Sequence, residues 1–221
     1  MFYRIFSTTM LFRVLTLAST TSLTLLGTSV SAQDIEKGKK LYQNCMACHG
    51  SEGHGNELLR APAIAGLDAA YLETQLHNFK HGIRGGVAAD ESGLLMRPMT
   101  KLLVDEAAIK DVSAFIATLK PVVAEETLEG GDAAKGAAAY AVCLACHGMA
   151  GEGNAALKAP SLQYQNDWYM LVQLKKFKEG IRGTNPKDIG GMQMRPMSMT
   201  LADEQAMKDV IAYIRSISPK E

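Results

Sequence analysis

Acidic residues are missing before Asp34, and no apolar run after residue 26 approaches the roughly 20 residues that span a bilayer. An excess of either charge is also missing: 23 Lys+Arg face 23 Asp+Glu. Without Arg4 and Arg13 of the first segment, 21 basic residues face 23 acidic ones, so a nucleic-acid surface is excluded. Sustained polar–apolar alternation is absent as well, so little sheet is expected. The acid-free start carries Arg4 and Arg13, an apolar run from Val14 to Leu26, and then "TSVSAQD" with Val30 and Ala32 at the small-residue positions of a cleavage site. This predicts a signal peptide over 1–32 and a mature chain starting at Gln33. The rival is a retained anchor, but the run is short and interrupted by Thr and Ser, which favours cleavage. An exported chain normally commits cysteine to disulfides. Here there are only four cysteines, and their arrangement argues otherwise.

A shift of 98 residues lays Asp34–Ile116 over Asp132–Ile214 without a gap, and 39 of 83 paired positions are identical. The chain is therefore an internal duplication, with domains expected at 33–119 and 132–221. Between them, 120–131 contains a proline and an acidic cluster and leads into a double glycine, the composition of a linker. Each unit is close to the minimum size for an apolar core, and a covalently held, largely apolar prosthetic group would supply what is missing. The coarse pattern is helical. Asp34 and Asp132 cap a first helix leading to the cysteines. Tyr71, Leu72, Gln75, Leu76 and Phe79 mark a middle helix, repeated from Asn166 to Gly180 with Tyr169, Gln173, Leu174 and Phe177. Ile109, Val112, Phe115, Ile116 and Leu119 form the stripe of a last helix that starts acidic and ends on Lys120.

All four cysteines fall in "CMACH" at 45–49 and "CLACH" at 143–147. In C-x-x-C-H, two cysteines on a short helix reach the two vinyl groups of one haem, and the histidine behind them ligates the iron. Cys45 and Cys48 then hold one haem with His49 as ligand, and Cys143, Cys146 and His147 hold a second. A redox dithiol would predict a βαβ setting that is lacking. A zinc site would pool the pairs, whereas each pair has its own domain and histidine. Two covalently bound haem c groups are expected.

The other axial position decides the chemistry. His54, His77 and His81 face Glu152, Lys175 and Glu179 in the second copy, so no further histidine is shared. "MRPM" is shared, at 96–99 and 194–197, on what reads as a loop before the last helix. A methionine thioether there would raise the potential, although most of the 12 methionines should be flexible packing. At this level Met96 and Met99, and Met194 and Met197, stand as alternatives.

The C-x-x-C-H motif, the glycine-bearing loop with Pro62 or Pro160, and the methionine–proline segment before an acidic helix start resemble class I cytochrome c. Two such units behind a signal peptide resemble the dihaem cytochrome c-four group. The resemblance implies an all-α fold of two tandem cytochrome c domains, each a small helical bundle around one haem. The family's ligand often precedes the aspartate of the last helix by nine residues, which implies Met96 and Met194. It also implies that the Pro62 and Pro160 carbonyls accept from the ligating histidines. The family's Ser or Thr before the last helix is Val104 or Ala202 here, which implies a lost cap. Arg84, Arg182, Arg97 and Arg195 each pair with a haem propionate or stand as ordinary exposed arginines. Tyr71, Tyr169 and Trp168 line the haem edge or pack in the core, and the "KHG" and "KEG" helix ends read as solvated.

The expected function is a periplasmic electron carrier rather than an enzyme, moving single electrons between protein partners. A quinol-oxidising complex or dehydrogenase would donate, and a terminal oxidase or reductase would accept. A monomer is expected, with peripheral membrane association allowed and no nucleic-acid partner. The rivals are a dihaem redox enzyme, acting on peroxide or sulfur compounds, and a subunit of a larger oxidase or dehydrogenase complex.

Overall fold

The computed structural model describes residues 33–220; the expected signal peptide lies outside the described residues. Each copy contributes five helices: α1 (Ile35–Tyr42), α2 (Met46–His49), α3 (Ala69–Lys80), α4 (Glu91–Thr100) and α5 (Glu106–Ala117), then α6 (Ala133–Tyr140), α7 (Leu144–His147), α8 (Asp167–Lys178), α9 (Ile189–Met199) and α10 (Glu204–Ile217). Extended pairing among the described residues is confined to the single bridges Asn56–Ala61 and Asn154–Ala159. The fold is all-α.

The first and last helices of each copy cross at a glycine. A Cβ on Gly38 would lie 2.0 Å from the Asp111 carbonyl oxygen, and one on Gly136 would lie 2.0 Å from that of Asp209. No other residue type allows this approach without moving a helix. The start of each first helix is then fastened to the last helix by a buried carboxylate. Asp111 accepts from the Asp34 N–H at 2.9 Å and pairs with Lys37 at 3.2 Å, and Asp209 accepts from the Asp132 N–H at 2.9 Å. Asp34 also caps α1 by accepting from the Lys37 N–H at 2.9 Å. One turn on, Tyr42 packs against Phe115 and Tyr140 against Tyr213, with ring centroids 5.3 and 5.4 Å apart. Ile109, Val112 and Ile116 of the predicted stripe are buried in the first core, and Val210, Ile211 and Ile214 in the second.

Three expectations need correction. The methionine segments are not loops: "MRPM" lies inside α4 and α9, which include Pro98 and Pro196. Asp90 and Asp188 start these helices by accepting from the Gly93 and Gly191 N–H groups, at 3.2 and 3.0 Å. Each proline removes one donor, and the residue whose carbonyl loses its bond, Leu94 or Met192, is exposed. The last helices are not uncapped, because Asp105 and Asp203 accept from the Ala108 and Ala206 N–H groups at 2.7 and 2.9 Å. The lysines of "KHG" and "KEG" are not free in solvent. Lys80 donates to the Leu103 carbonyl, and Lys178 donates to those of Leu201 and Ala202, on the turns that enter α5 and α10.

The segment 120–131 is a strap rather than a loose tether. Asp167, fully buried at the start of α8, accepts from the Thr127 N–H and hydroxyl, both at 2.8 Å, and from the Leu128 N–H at 3.1 Å. Leu128 packs on the second core, and Arg215 donates to the Ala124 carbonyl at 3.0 Å. Burial opposes the charge on Asp167, but the Leu128 and Thr127 donors outweigh it and hold the carboxyl below its ordinary range.

Gly136→Ala should cost on the order of 3 kcal/mol in chemical denaturation of the haem-loaded protein, because its Cβ has only backbone to push against. Asp167→Asn should cost about 1–3 kcal/mol at neutral pH. The folded pKa of Asp167 is depressed, so this stability is fully present above about pH 4 and is lost as pH falls through the folded value. The native and variant stabilities, measured against pH, should therefore converge in acid.

Candidate haem sites and the seam between them

Each cysteine motif forms one helical turn at the end of the first helix. The Cys48 and His49 N–H groups donate to the Cys45 carbonyl at 3.1 and 2.9 Å, and the Tyr42 hydroxyl donates to the Gly50 carbonyl at 2.7 Å, clipping the motif to α1. The second copy repeats this with Tyr140 and Gly148 at 2.7 Å. Both histidines are buried. His49 Nδ1 lies 2.8 Å from the Pro62 carbonyl, and His147 Nδ1 lies 2.9 Å from that of Pro160. A carbonyl can only accept, so Nδ1 carries the hydrogen and Nε2 keeps its lone pair for a metal. Burial pushes both histidines below their ordinary pKa, with the proline carbonyls acting in the other direction, so the neutral, ligating form prevails. The loop that brings Pro62 beneath His49 turns at Gly55, whose φ is +86° and where a Cβ would sit 2.6 Å from the Ala63 nitrogen. Gly153 does the same for Pro160.

The surroundings of Cys45 and Cys143 do not favour the rival uses of the cysteines. Reactive dithiols hold a cysteine in an electropositive, accessible setting that lowers its pKa. Cys45 and Cys143 are half-buried, and burial, assisted by the neighbouring Cys48 or Cys146, pushes each thiol up to about 11. Among the described residues, no three His, Cys, Asp or Glu side chains converge on a metal-ion site.

Of the methionines, Met96 is half-buried and packs against the first core, which Cys45 also borders. Met99 is half-buried as well. In the second copy Met194 is half-buried while Met197 is 37% exposed. Cys143 borders the second core.

The arginines of "GIRG" are buried at a seam between the copies, which overturns the exposed reading for both. Arg84 donates to Gln75 at 2.9 Å in its own domain, and across the seam to Tyr169 at 2.8 Å and Gln173 at 3.1 Å. Arg182 mirrors it, donating to Gln173 at 2.6 Å and across to Gln75 at 3.3 Å. Each guanidinium lies over a phenylalanine of its own domain, Phe79 at 4.4 Å and Phe177 at 4.3 Å. Tyr71 and Tyr169 thus serve the seam. The contacts exchange under the 98-residue shift, the signature of a twofold, self-complementary interface. Lys176 extends the seam by pairing with buried Asp90 at 2.5 Å, and Asn78 donates to Asp188 at 3.2 Å. Burial opposes the charge on Asp90, yet the bond and charge of Lys176, together with Arg84 and the Gly85 N–H, hold its carboxyl below the ordinary range.

These surroundings fit a haem in each copy. The Nε atoms of Arg84, Arg97, Arg182 and Arg195 are buried without a hydrogen-bond partner among the described residues. Three cations of the seam, Arg84, Arg182 and Lys176, face two carboxylates, Asp90 and Asp188, so the seam holds more positive charge than these groups balance. A group with two carboxylates, an apolar body and an iron that accepts imidazole meets all of these needs. Sequence reasoning missed the seam roles of Gln75, Gln173, Asp90, Asp188 and Lys176. The signal was present in Gln75/Gln173 and Asp90/Asp188, polar pairs identical in both copies with no part in the haem motif.

Comparison with known proteins agrees. The family model for cytochrome c matches twice, over residues 35–120 and 133–218. The chain is 30% identical over 215 residues to the thiosulfate dehydrogenase electron acceptor of Stutzerimonas stutzeri, spanning 87% of this chain and 91% of that protein. It is 32% identical over 208 residues to cytochrome c4 of Azotobacter vinelandii, spanning 89% and 95%. The crystal structure of reduced recombinant cytochrome c4 from Pseudomonas stutzeri superposes with a TM-score of 0.65 at 25% identity, covering 83% of this chain and 98% of that one. With two C-x-x-C-H motifs in two matched domains, this chain belongs to the cytochrome c family as a dihaem, cytochrome c4-like electron carrier with two covalently attached haem c groups.

Proposed function

We propose that the protein is a soluble periplasmic carrier, not an enzyme, that passes electrons one at a time through two His/Met-ligated haems. The carrying observation is that both copies build the same site. In each, the motif histidine is pinned through Nδ1 to a proline carbonyl, and the same Met-Arg-Pro-Met turn lies on the helix before the last. A division of labour, with one site open for substrate, would call for a difference between the copies at these positions.

When bound, haem supplies a one-electron change at iron with little rearrangement. Cys45 and Cys48, and Cys143 and Cys146, anchor the two groups as thioethers. His49 and His147 present Nε2 at an orientation set by Pro62 and Pro160. Met96 and Met194 would supply the second ligands, which would exclude small ligands and raise the potential. Arg84 and Arg182, with Arg97 and Arg195, neutralise propionate charge that would otherwise be buried unpaired. The partners are redox proteins: a quinol-oxidising complex or dehydrogenase as donor and a terminal oxidase or reductase as acceptor. Similarity to a protein named thiosulfate dehydrogenase electron acceptor supports a dehydrogenase of sulfur compounds among the donors.

The purified native protein should carry two covalently attached haems by mass. It should show a sulfur-to-iron charge-transfer band at the red edge of the oxidised spectrum, and its reduced form should not bind carbon monoxide. Met96→Ala and Met194→Ala should each remove about half of that band and open one haem to carbon monoxide, with a fall in potential at that centre. Carbon monoxide binding by the reduced native protein would instead favour the enzyme reading. An intact band in Met96→Ala that is halved in Met99→Ala would move the ligand by one turn.

A further inference from the structure

The loop that supplies the acceptor of His49 is gripped by the other domain. One peptide group, between Pro62 and Ala63, is bonded at both ends. Its carbonyl accepts from His49 Nδ1 at 2.8 Å, and its N–H donates to the side-chain oxygen of Asn166 at 2.6 Å. The carbonyl of Ala63 accepts in turn from Gln165 Nε2 at 3.1 Å, and both of these residues are buried. Asn166 stands at the N-cap of α8 yet makes no side-chain bond to that helix, so its oxygen is given over to the first domain. The grip is one-way. Under the 98-residue shift Asn166 becomes Asp68 and Gln165 becomes Leu67. Asp68 spends its carboxylate on its own helix, accepting from the Ala70 and Tyr71 N–H groups at 2.8 and 3.3 Å, and Leu67 has no amide to offer. The His147–Pro160 bond, at 2.9 Å, is thus the same pairing without the clamp.

We infer that Asn166 is a positioning residue for the first haem, acting through the Pro62–Ala63 peptide on the hydrogen bond that holds His49. The inference rests on the reading of His49 as an iron ligand. Amide resonance couples the two ends of a peptide group. An acceptor at its N–H shifts negative charge onto its carbonyl oxygen, and bonds chained in this way strengthen one another by about 10–30% each. A better acceptor draws the Nδ1 proton harder, which leaves Nε2 a stronger donor to the metal. That favours the ferric state and lowers the potential of this centre. Packing alone acts with the opposite sign on removal of Asn166. A loosened loop admits water, which favours the more highly charged ferric site and lowers the potential. Loss of the Asn166 oxygen therefore raises the potential where the peptide relay governs, and lowers it where only the fit of the loop matters.

The test sets the complete dihaem protein beside Asn166→Leu and Asn166→Asp. Proton NMR follows each haem separately through a potentiometric titration, and times deuterium exchange of the two histidine Nδ1 protons in the reduced state. Leucine keeps the size of asparagine and costs α8 no side-chain cap. Asn166→Leu should raise the potential of the first haem and speed exchange of the His49 proton about fivefold, the factor for one lost hydrogen bond. The second haem and the His147 proton should not change. Asn166→Asp keeps an acceptor and gives it full charge, so the His49 proton should exchange at its native rate and the first potential should fall. A first potential that is unchanged or lowered in Asn166→Leu overturns the inference, as does an equal shift of both haems. Where Asn166→Leu fails to fold, Asn166→Asp decides alone, and a first potential at or above the native value overturns the inference. Failure of the underlying reading is separate and visible before any variant is made, as fewer than two attached haems or carbon monoxide binding by the native protein.

Discussion

The close crossing of the first and last helices constrains everything else in each domain. Gly38 over the Asp111 carbonyl, and Gly136 over that of Asp209, bring two backbones into contact with no side chain between them. That contact sets the line of α1 and α6, and the cysteine turn continues directly from their ends. Tyr42 and Tyr140 lock the relation by packing on the last helix while bonding to the glycine behind each histidine. The anchor points for a rigid macrocycle are thereby held to a backbone geometry rather than to flexible side chains. This is the rigidity that a centre changing charge without rearrangement requires.

The seam extends the same logic between domains. Four polar side chains on α3 and α8 (Gln75, Tyr71, Gln173 and Tyr169) surround two guanidiniums, and the bonds cross from copy to copy. Such a surface would be costly if left dry and unpaired. It is sustained because each arginine is shared by both domains and stacked on a phenylalanine. The strap fastened by Asp167 holds the connecting chain against the second domain, so the two units are joined by bonding and not by covalent linkage alone.

Much of this was legible in the sequence because it rests on local chemistry. The haem motif and the duplication depend on residue type and spacing, and the role of the proline carbonyls was implied by the family resemblance. The stripe Ile109, Val112 and Ile116 fell where a period of 3.6 places it. What was not legible depends on which helix faces meet. The pattern around Gln75 and Arg84 is equally compatible with solvent, and only the approach of the second domain turns it inward. The α4 and α9 segments read as loops because proline and glycine suggest breaks, yet the helices tolerate a lost bond at exposed Leu94 and Met192. Lys80 and Lys178 looked solvated because their carbonyl partners lie on turns 23 residues further along. Asp167 faces an alanine, Ala69, in the first copy, so comparing the halves gave no hint of its role.

The twofold character of the seam also bears on ancestry. Two separate copies of one ancestral domain, meeting about an axis, must carry the same side chain on both sides. A lysine at the 78/176 position would then have appeared twice, and the partnership would have remained symmetric. Joining the copies in one gene lifted that restriction. The Asn78/Lys176 difference is one that two identical copies could not hold, and it leaves the two sides of the seam distinguishable.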